Sequence, residues 1–302
     1  MINQFKNTII DNALLKKSRI CLPEINDCRV VEASHELRKL GFNIVDGQDL
    51  ANNTHDYSKL IKRKKFAQNW TGEMIADYMN NPLNLSISAL DSGDLDCVVA
   101  GALHKTSDVI RSAIRIVGIN KNKKWITSVF FMLSPCYKYL YTYADCAVIP
   151  EPNAEQLCYI GYEASKLHKL VSGNDSKIAF LSFSTKGSAE HYKVKKIQEA
   201  TSLFSKKFGH IEYEGELQFD AAINESVAIN KIKNSQLKGH ANTFIFPDLD
   251  SGNISYKITE RLANYQAIGP VLVGLNKTVN DLSRGCSVDD IILTTAISAL
   301  QS

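Results

Sequence analysis

Residues 96–118 read DCVVAGALHKTSDVIRSAIRIVG, which is a continuous apolar run, a polar turn and then a stretch with helical periodicity. Apolar strands without alternation are typical of a parallel sheet that is covered on both faces. The same order of strand and helix recurs on either side, in residues 19–42, 177–209 and 242–269, and a last such helix follows at 288–302. This alternation predicts an α/β fold with open, doubly wound sheets.

The chain has 302 residues, of which 44% are hydrophobic, and this length is close to the point at which chains divide into two domains. A turn-rich segment, ADCAVIPEPNAEQ at 144–156, is the best candidate for a boundary. We therefore predict a first α/β lobe of residues 1–145 plus 288–302 and a second of residues 146–287.

The overall charge gives no sign of a nucleic-acid partner, because 35 Lys and Arg residues against 32 Asp and Glu residues leave a formal net charge of only +3. No apolar run reaches the roughly 18 to 20 residues that span a bilayer, and residues 1–19 lack the apolar core of a signal peptide. We expect a cytoplasmic protein without a membrane partner. Seven cysteines without a CxxC pair indicate neither a disulfide framework nor a zinc ribbon.

Four small polar loops follow the predicted strands, at residues 103–108, 182–190, 247–253 and 280–290. In open parallel sheets, ligands bind at the carboxyl ends of the strands. Backbone amides in such loops can bind an anion, so these loops are the candidate ligand-binding segments.

A resemblance to phosphate acetyltransferases becomes specific in the last of these loops. TFIFPDLDSGNISYK at 243–257, IGPVLVG at 268–274 and VNDLSRGCSVDDI at 279–291 resemble the C-terminal signature of the phosphate acetyl/butyryltransferase family. Other segments resemble the family in the same order, at 98–114, 127–135, 143–157, 178–191 and 215–223. The resemblance covers residues 18–302. It implies two lobes similar to the isocitrate/isopropylmalate dehydrogenase-like fold, an active site in the cleft between them, and a homodimer.

The resemblance also implies the reaction, in which the coenzyme A thiolate attacks acetyl phosphate in a ternary complex and inorganic phosphate leaves. The thiol, with an ordinary pKa of about 8.5, then needs a base, and the tetrahedral oxyanion needs hydrogen-bond donors. The phosphate needs cations and amides. Coenzyme A is a substrate here, and the family implies no bound cofactor and no metal.

Asp290 matches the family's proton-abstracting aspartate. The residues alone leave a second interpretation open, because Ser287 followed by an acid three positions later is a variant of the capping box that begins a helix.

Ser283 and Arg284 lie just before that helix, and the resemblance makes them substrate-anchoring and transition-state-stabilising residues. The alternative is an exposed arginine that pairs with Asp281 or Asp289.

Arg111 matches an active-site arginine of the family, and its planar guanidinium suits a phosphate. Arg115 lies four residues on, so the pair is also consistent with a solvated stripe. Ser112 stands where the family often has proline. Arg63 is our choice for the second active-site arginine, although the charge run at 62–65 is also typical of a solvated helix face.

Ser184, Thr185 and Gly187 match a family loop between strand and helix and are candidate phosphate ligands. The loop lacks the GxxxxGK[ST] pattern, which argues against a nucleotide-binding P-loop, and a serine-capped helix is the alternative. We expect His104 to be a satisfied loop histidine rather than a ligand contact. Cys136 lies near a position where some relatives have a cysteine close to the active site.

Two further functions remain open. The chain is a candidate transferase for propanoyl or butyryl groups, because an apolar pocket distinguishes one methylene by only about 1 to 3 kcal/mol. The segments VNDLSRG and VDDI favour acetyl as the transferred group, because the butyryl-transferring relatives generally differ there. A non-catalytic phosphotransacetylase-like binding module ranks lower, because the SRG and VDD segments are intact.

Overall fold

The computed structural model describes residues 4–302, and its helices and strands alternate along most of the chain. The strands are β1 (Arg19–Cys21), β2 (Asn43–Ile44), β3 (Cys97–Ala100), β4 (Thr127–Leu133), β5 (Leu140–Ala144), β6 (Lys177–Leu181), β7 (Glu212–Leu217), β8 (Thr243–Ile245), β9 (Gln266–Val273) and β10 (Thr278–Asp281). The helices are α1 (Gln4–Leu14), α2 (Cys28–Leu40), α3 (Gly47–Ala51), α4 (Thr54–Arg63), α5 (Gly72–Met79), α6 (Pro82–Ser92), α7 (Thr106–Ile116), α8 (Ala154–Ser172), α9 (Tyr192–Phe208), α10 (Phe219–Ile223), α11 (Glu225–Lys231), α12 (Leu249–Ala263) and α13 (Val288–Gln301), and a 3₁₀ turn covers Lys65–Ala67.

The chain divides into two compact units. The first ends at Ile126 and resumes with Gly269–Ser302, and the second is Thr127–Ile268. These boundaries differ from the predicted ones at 145 and 287. The reason is strand pairing, because β4 and β5 form an antiparallel hairpin whose second strand joins β8, while β10 pairs with β3.

The first unit has a four-stranded sheet in the order β10-β3-β1-β2, and its neighbouring strands are all parallel. Every residue of β3 is buried, as expected for a strand that is covered on both faces. Asp27 caps the start of α2 by accepting the amide of Arg29, and Gly41 caps its end in the left-handed conformation with φ 100°. The core joins β3 to helices α4, α6 and α7 through residues such as Ile61, Ile87 and Val109.

A six-stranded sheet has the order β7-β6-β8-β5-β4-β9, and its first five strands and the start of β9 belong to the second unit. β5, β6, β7 and β8 pair in parallel, and β4 is antiparallel to β5. α8 begins with a capping box between Asn153 and Gln156. Phe130 stacks on Tyr256 of α12 with ring centroids 4.1 Å apart, and both residues belong to the core of this unit.

The predicted α/β class is therefore confirmed, and the antiparallel hairpin is a departure from a wholly parallel arrangement. Its strand β4 is buried along its full length, and its residues therefore show the same unalternating pattern as those of a parallel strand. No helix within residues 4–302 is long and apolar enough to cross a membrane.

Candidate active site

The carboxyl ends of β1, β3 and β10 lie side by side at one edge of the first unit's sheet. The register pairs Cys21 with Val98 and Asp281 with Ala100, and the strands run in the same direction. The loops that follow, residues 22–27, 101–105 and 282–286, therefore meet at this edge. It is the position at which parallel sheets bind ligands.

The buried carboxylate of Glu24 organises the loop after β3. It accepts hydrogen bonds from the four successive backbone amides of residues 101–104 at 2.7–3.0 Å, and from Nδ1 of His104 at 2.7 Å. Gly101 has φ 112°, and a Cβ there would lie 2.1 Å from Oδ1 of Asp281. His104 is thus satisfied by a carboxylate, as expected, and only glycine fits the start of this loop.

Arg29, in the first turn of α2, joins two of the loops. Its Nη1 donates to the carbonyls of Arg284 at 3.0 Å and Cys286 at 2.7 Å, and its Nη2 donates to the carbonyl of Ala102 at 3.3 Å. Asp27 holds the guanidinium on its other side, with contacts of 3.0 Å to Nε and 2.6 Å to Nη2. A single planar side chain therefore sets the distance between the loops after β3 and β10.

The Ser283–Arg284 loop is a tight turn whose backbone faces the protein. The amide of Cys286 donates to the carbonyl of Ser283 at 2.9 Å, and the amide of Gly285 lies 3.3 Å from Oγ of Ser283. The carbonyls of Arg284 and Cys286 are bound by Arg29, while residues Ser283 and Arg284 are exposed. The two predicted catalytic side chains are thus accessible on a fixed backbone.

The surface ion pair considered for Arg284 does not form within residues 4–302. Asp281 is buried and Asp289 pairs with Lys6, so neither carboxylate hydrogen-bonds the Arg284 guanidinium. Among the described residues this guanidinium has no hydrogen-bond partner, and its positive charge lowers the pKa of Asp281. Arg284 is therefore a cation that remains available to an anionic ligand.

Asp281 is a buried carboxyl group directly beneath this loop. Its Oδ2 accepts the hydroxyl of Thr106 at 2.6 Å, and its Oδ1 has no hydrogen-bond partner among residues 4–302. Burial, together with the nearby charge of Glu24, raises the pKa of Asp281 to about 7 against the opposing effects of the Thr106 hydroxyl, the Leu282 amide and the charge of Arg284. Asp281 therefore changes charge close to neutral pH.

Asp290 forms the capping box at the start of α13. Its Oδ2 accepts the amide of Ser287 at 2.9 Å and the hydroxyl of Ser287 at 2.8 Å, and Oγ of Ser287 accepts the amide of Asp290 at 3.2 Å. The capping box predicted from the sequence is thus present in the structure. The role of Asp290 as a base stays a prediction, and capping through one oxygen is compatible with it.

Arg111 lies on α7, whose first residue, Thr106, contacts Asp281 at the end of β10. Its exposed guanidinium pairs with Asp108 of the same helix at 2.8 Å. Ser112, where the family often has proline, donates to Oδ1 of Asn84 at 2.9 Å and so ties α7 to α6. The structure brings the start of α7 to the site, and the convergence of the Arg111 side chain with Ser283 stays a prediction.

Arg63 is the last residue of α4 and lines a groove of about 430 Å³ with cationic neighbours, including Lys59 and Lys62. Lys62 donates to the carbonyl of Trp70, and Lys64 pairs with Asp91 at 2.6 Å. The charge run at 62–65 therefore includes structural contacts. Arg63 itself makes no ion pair with any residue in the described range 4–302, which is consistent with an anion-binding role that stays a prediction.

In the second unit, the loop that carries Ser184, Thr185 and Gly187 binds a carboxylate of its own chain. Glu216 is buried, and its Oε1 accepts the hydroxyl of Ser184 at 3.0 Å and the amide of Gly187 at 2.6 Å. The hydroxyl of Thr185 accepts the amide of Gln218 at 3.0 Å. Ser184 and Thr185 are themselves buried. Their predicted contact with phosphate stays a prediction, but these groups already have internal partners.

Cys136 is exposed in the turn after β4, in the second unit. The hydroxyl of Ser134 and the backbone amide of Lys138 hydrogen-bond its sulfur and hold the pKa of the thiol below its ordinary value.

The sequence interpretation missed Glu24 and Arg29. The rule that ligands gather at carboxyl ends of strands was applied to four polar loops, whereas LPE after β1 is short and largely apolar. The one available signal was Glu24 itself, a charged residue immediately after a buried strand. Such a residue is rarely buried unless it is paired.

The comparisons with known proteins agree with one another. The sequence pattern described as phosphate acetyl/butaryl transferase matches residues 34–299. A phosphate acetyltransferase from Acetivibrio thermocellus is 36% identical over 99% of this chain and 98% of its own. The crystal structure of a phosphotransacetylase from Streptococcus pyogenes is 35% identical, with a TM-score of 0.85 over 100% of this chain and 98% of that one. A Salmonella typhimurium protein provisionally named 4-hydroxythreonine-4-phosphate dehydrogenase covers 94% of this chain and 99% of its own. It is only 10% identical, with a TM-score of 0.53, and shows a shared dehydrogenase-like fold alone.

Proposed function

The chain belongs to the phosphate acetyl/butaryl transferase family, and we propose that it transfers an acetyl group reversibly between acetyl phosphate and coenzyme A. The observation that carries this proposal is the match to phosphate acetyltransferases over nearly the whole of both chains. The exposed Ser283 and Arg284 on a backbone fixed from behind support it, because acyl transfer needs donors that are already in place.

In the proposed reaction, the thiol of coenzyme A gives its proton to Asp290, and the thiolate attacks the carbonyl carbon of acetyl phosphate. A carbon–sulfur bond forms, and the carbonyl oxygen becomes an oxyanion near the Ser283 hydroxyl and the Arg284 guanidinium. The bond between carbon and the phosphate oxygen then breaks, and inorganic phosphate leaves. No atom is oxidised or reduced, so the proposed reaction needs no redox cofactor, and the family resemblance implies no bound metal.

The remaining predicted residues are assigned to substrate binding. Arg111 and Arg63 are the cations proposed for the phosphate groups of acetyl phosphate and coenzyme A, and the cationic groove around Arg63 supports the second of these roles. We also propose three phosphate ligands in the second unit, Ser184, Thr185 and Gly187. Their geometric support is weaker, because Glu216 and Gln218 already form hydrogen bonds with them.

The deciding experiment measures acetyl-coenzyme A formation from acetyl phosphate and coenzyme A by the purified protein, after treatment with a chelator and without nucleotide. We expect thioester to form and phosphate to appear in equal amount. Absence of thioester with any acyl phosphate, while coenzyme A still binds, would establish the non-catalytic binding module instead.

A second acyl group is tested in the same assay. Propanoyl and butyryl phosphate differ from acetyl phosphate by one and two methylenes, and each methylene in an apolar pocket changes the free energy by about 1 to 3 kcal/mol. We expect acetyl phosphate to have the highest kcat/KM. A higher value for butyryl phosphate would assign the longer acyl group.

We also propose a cytoplasmic homodimer, in keeping with the family resemblance. α12 exposes Ile254, Ile258 and Leu262 at a spacing of four residues, with Leu262 81% exposed. An apolar stripe of this kind is typical of a protein–protein contact. Light scattering should give the mass of two chains, and cell fractionation should place the activity in the cytoplasmic extract.

A further inference from the structure

Arg29 makes more contacts to backbone than its position on α2 requires. Its own amide already begins the helix by donating to Asp27, so helix capping does not use the guanidinium. The guanidinium instead reaches the carbonyls of Arg284, Cys286 and Ala102. These carbonyls belong to the loops after β10 and β3, which are far apart in the chain.

The direction of these hydrogen bonds matters. Arg29 binds the carbonyls of the two residues that flank Gly285. These contacts turn the carbonyls toward Arg29, while the side chains of Ser283 and Arg284 remain exposed. Asp27, whose side chain is only 7% exposed, holds the guanidinium in its plane. The orientation of the turn thus depends on a half-buried cation that binds its carbonyls.

We propose that Arg29 is a positioning residue for acyl transfer. It fixes Ser283 and Arg284 relative to the loop at 101–105 and the start of α7, and Asp27 fixes Arg29 in turn. This inference rests on the proposed function, since it gives Arg29 a role only in the reaction that Ser283 and Arg284 perform.

The first test is Arg29→Lys, followed by steady-state kinetics with acetyl phosphate and coenzyme A. Lysine keeps the charge, but its single ammonium group has no planar fork with which to hold both carbonyls of the turn, Ala102 and Asp27 together. A displacement of about 1 Å in a catalytic group costs on the order of 10²-fold in rate. We expect kcat to fall by about that factor, with a much smaller change in KM.

Arg19 supplies a matched control in the same unit. It also makes a two-contact pair with an aspartate, Asp96, at 3.0 and 2.9 Å, and it also donates to a backbone carbonyl, that of Gly93, at 2.7 Å. It lies at the amino end of β1, away from the loops. Arg19→Lys should lower thermal stability as much as Arg29→Lys does and leave kcat unchanged.

A double variant separates positioning from general destabilisation. If Arg29 acts through Arg284, Arg29→Lys added to Arg284→Ala should lower kcat little further, because the group being positioned is gone. A merely structural role would lower kcat by the same factor in both backgrounds.

Asp27→Asn is the second variant, for the case in which Arg29→Lys does not fold. Asparagine still caps α2 but no longer pairs with the guanidinium, so kcat should fall by a smaller factor with the helix intact.

Wild-type kcat in Asp27→Asn and Arg29→Lys, additive losses in the double variant, or an equal loss of kcat in Arg19→Lys would each overturn the inference. Failure of the wild-type protein to form acetyl-coenzyme A would instead overturn the proposed function.

Discussion

The loop at 282–286 in the first unit and the loop at 182–188 in the second have similar sequences and opposite construction. Both follow the carboxyl end of a buried parallel strand, both contain serine and glycine beside a cation, and both are predicted to bind an anion. In the first, Arg29 binds backbone carbonyls from behind, and the Ser283 and Arg284 side chains remain exposed. In the second, the carboxylate of Glu216 accepts hydrogen bonds from the Ser184 hydroxyl and the Gly187 amide, which are the donors that a phosphate would need.

The difference shows that the polarity of a loop does not reveal which of its groups remain available to a ligand. A half-buried cation such as Arg29 binds carbonyls and leaves side chains free for a ligand, whereas a buried anion such as Glu216 occupies the amides and hydroxyls themselves. The partner residue in each case is distant in sequence, at position 29 or 216. The predictions that follow test whether catalysis resides in the first loop and stability in the second.

The largest effect is expected at Asp290, next to the first loop. Asp290→Asn keeps the size of the side chain and one acceptor oxygen, so a pure cap should lose at most about 1 kcal/mol of stability. Loss of a general base lowers turnover by about 10²- to 10⁴-fold. We expect kcat to fall by that order in the acetyl phosphate assay, with nearly unchanged thermal stability.

Gln156→Glu is the matched control, because Gln156 occupies the same position in the capping box of α8 in the second unit. This substitution replaces an amide with a carboxylate in the capping box of α8, and the variant should keep wild-type kcat. Raising the pH toward the pKa of the coenzyme A thiol should partly restore the turnover of Asp290→Asn, because more of the thiol is then ionised without a protein base. A variant that keeps most of its turnover at neutral pH would leave Asp290 as a cap alone.

The next effect compares the cations of the two loops. Arg284→Lys keeps the charge but loses the planar fork, and losing one donor to an oxyanion costs on the order of 10²-fold in kcat. Lys186 donates instead to the carbonyl of Gly215 at 2.9 Å, a contact that arginine can also make. Lys186→Arg should therefore keep its kcat. Near-normal turnover of Arg284→Lys would remove Arg284 from transition-state stabilisation.

These predictions depend on features that the sequence reveals unequally. The α/β class was predictable because strands such as β3 are continuous apolar runs followed by helical periodicity, and the capping box at Ser287 was predictable because it is local. The antiparallel hairpin β4–β5 was not, because a fully buried strand has the same apolar pattern in either direction. The boundaries of the two units depend on that pairing and lie after Ile126 and Ile268 rather than at 145 and 287.

The same limit applies to the candidate site. Ser283, Arg284 and Asp290 were found because they lie in one continuous segment that resembles a family motif. The contacts of Arg29 with Arg284 and of Glu24 with the amides at 101–104 join residues far apart in the chain. Such contacts follow from strand order, which periodicity does not specify.

A smaller effect distinguishes the serines of the two loops. Ser184→Ala removes one of the two donors to Oε1 of the buried Glu216 and leaves the amide of Ala189 without its acceptor, which costs about 1 to 3 kcal/mol. Ser283 is exposed, so Ser283→Ala should cost little stability and should lower kcat instead. Denaturant unfolding and the acetyl transfer assay together measure this exchange. A Ser184→Ala variant with wild-type stability and a raised KM for acetyl phosphate would show that the second loop binds phosphate.

The smallest effect concerns the pH dependence of Asp281, beneath the first loop. Its pKa in the folded protein is about 7, whereas an unfolded aspartate has a pKa of about 3.9, so between these values the folded state binds a proton that the unfolded state releases. The free energy of unfolding therefore decreases as the pH rises through this range and levels off above about pH 7. Asp281→Asn removes this dependence, since the amide does not titrate, while its oxygen can still accept the hydroxyl of Thr106. Between about pH 6 and pH 8, the wild type should lose about 1.4 kcal/mol relative to the variant, because one pKa unit corresponds to about that energy. Denaturant unfolding of both proteins at the two pH values measures the difference. A constant difference would mean that Asp281 stays ionised in the fold, and Arg284 would then lie above a fixed negative charge rather than one that titrates near neutral pH.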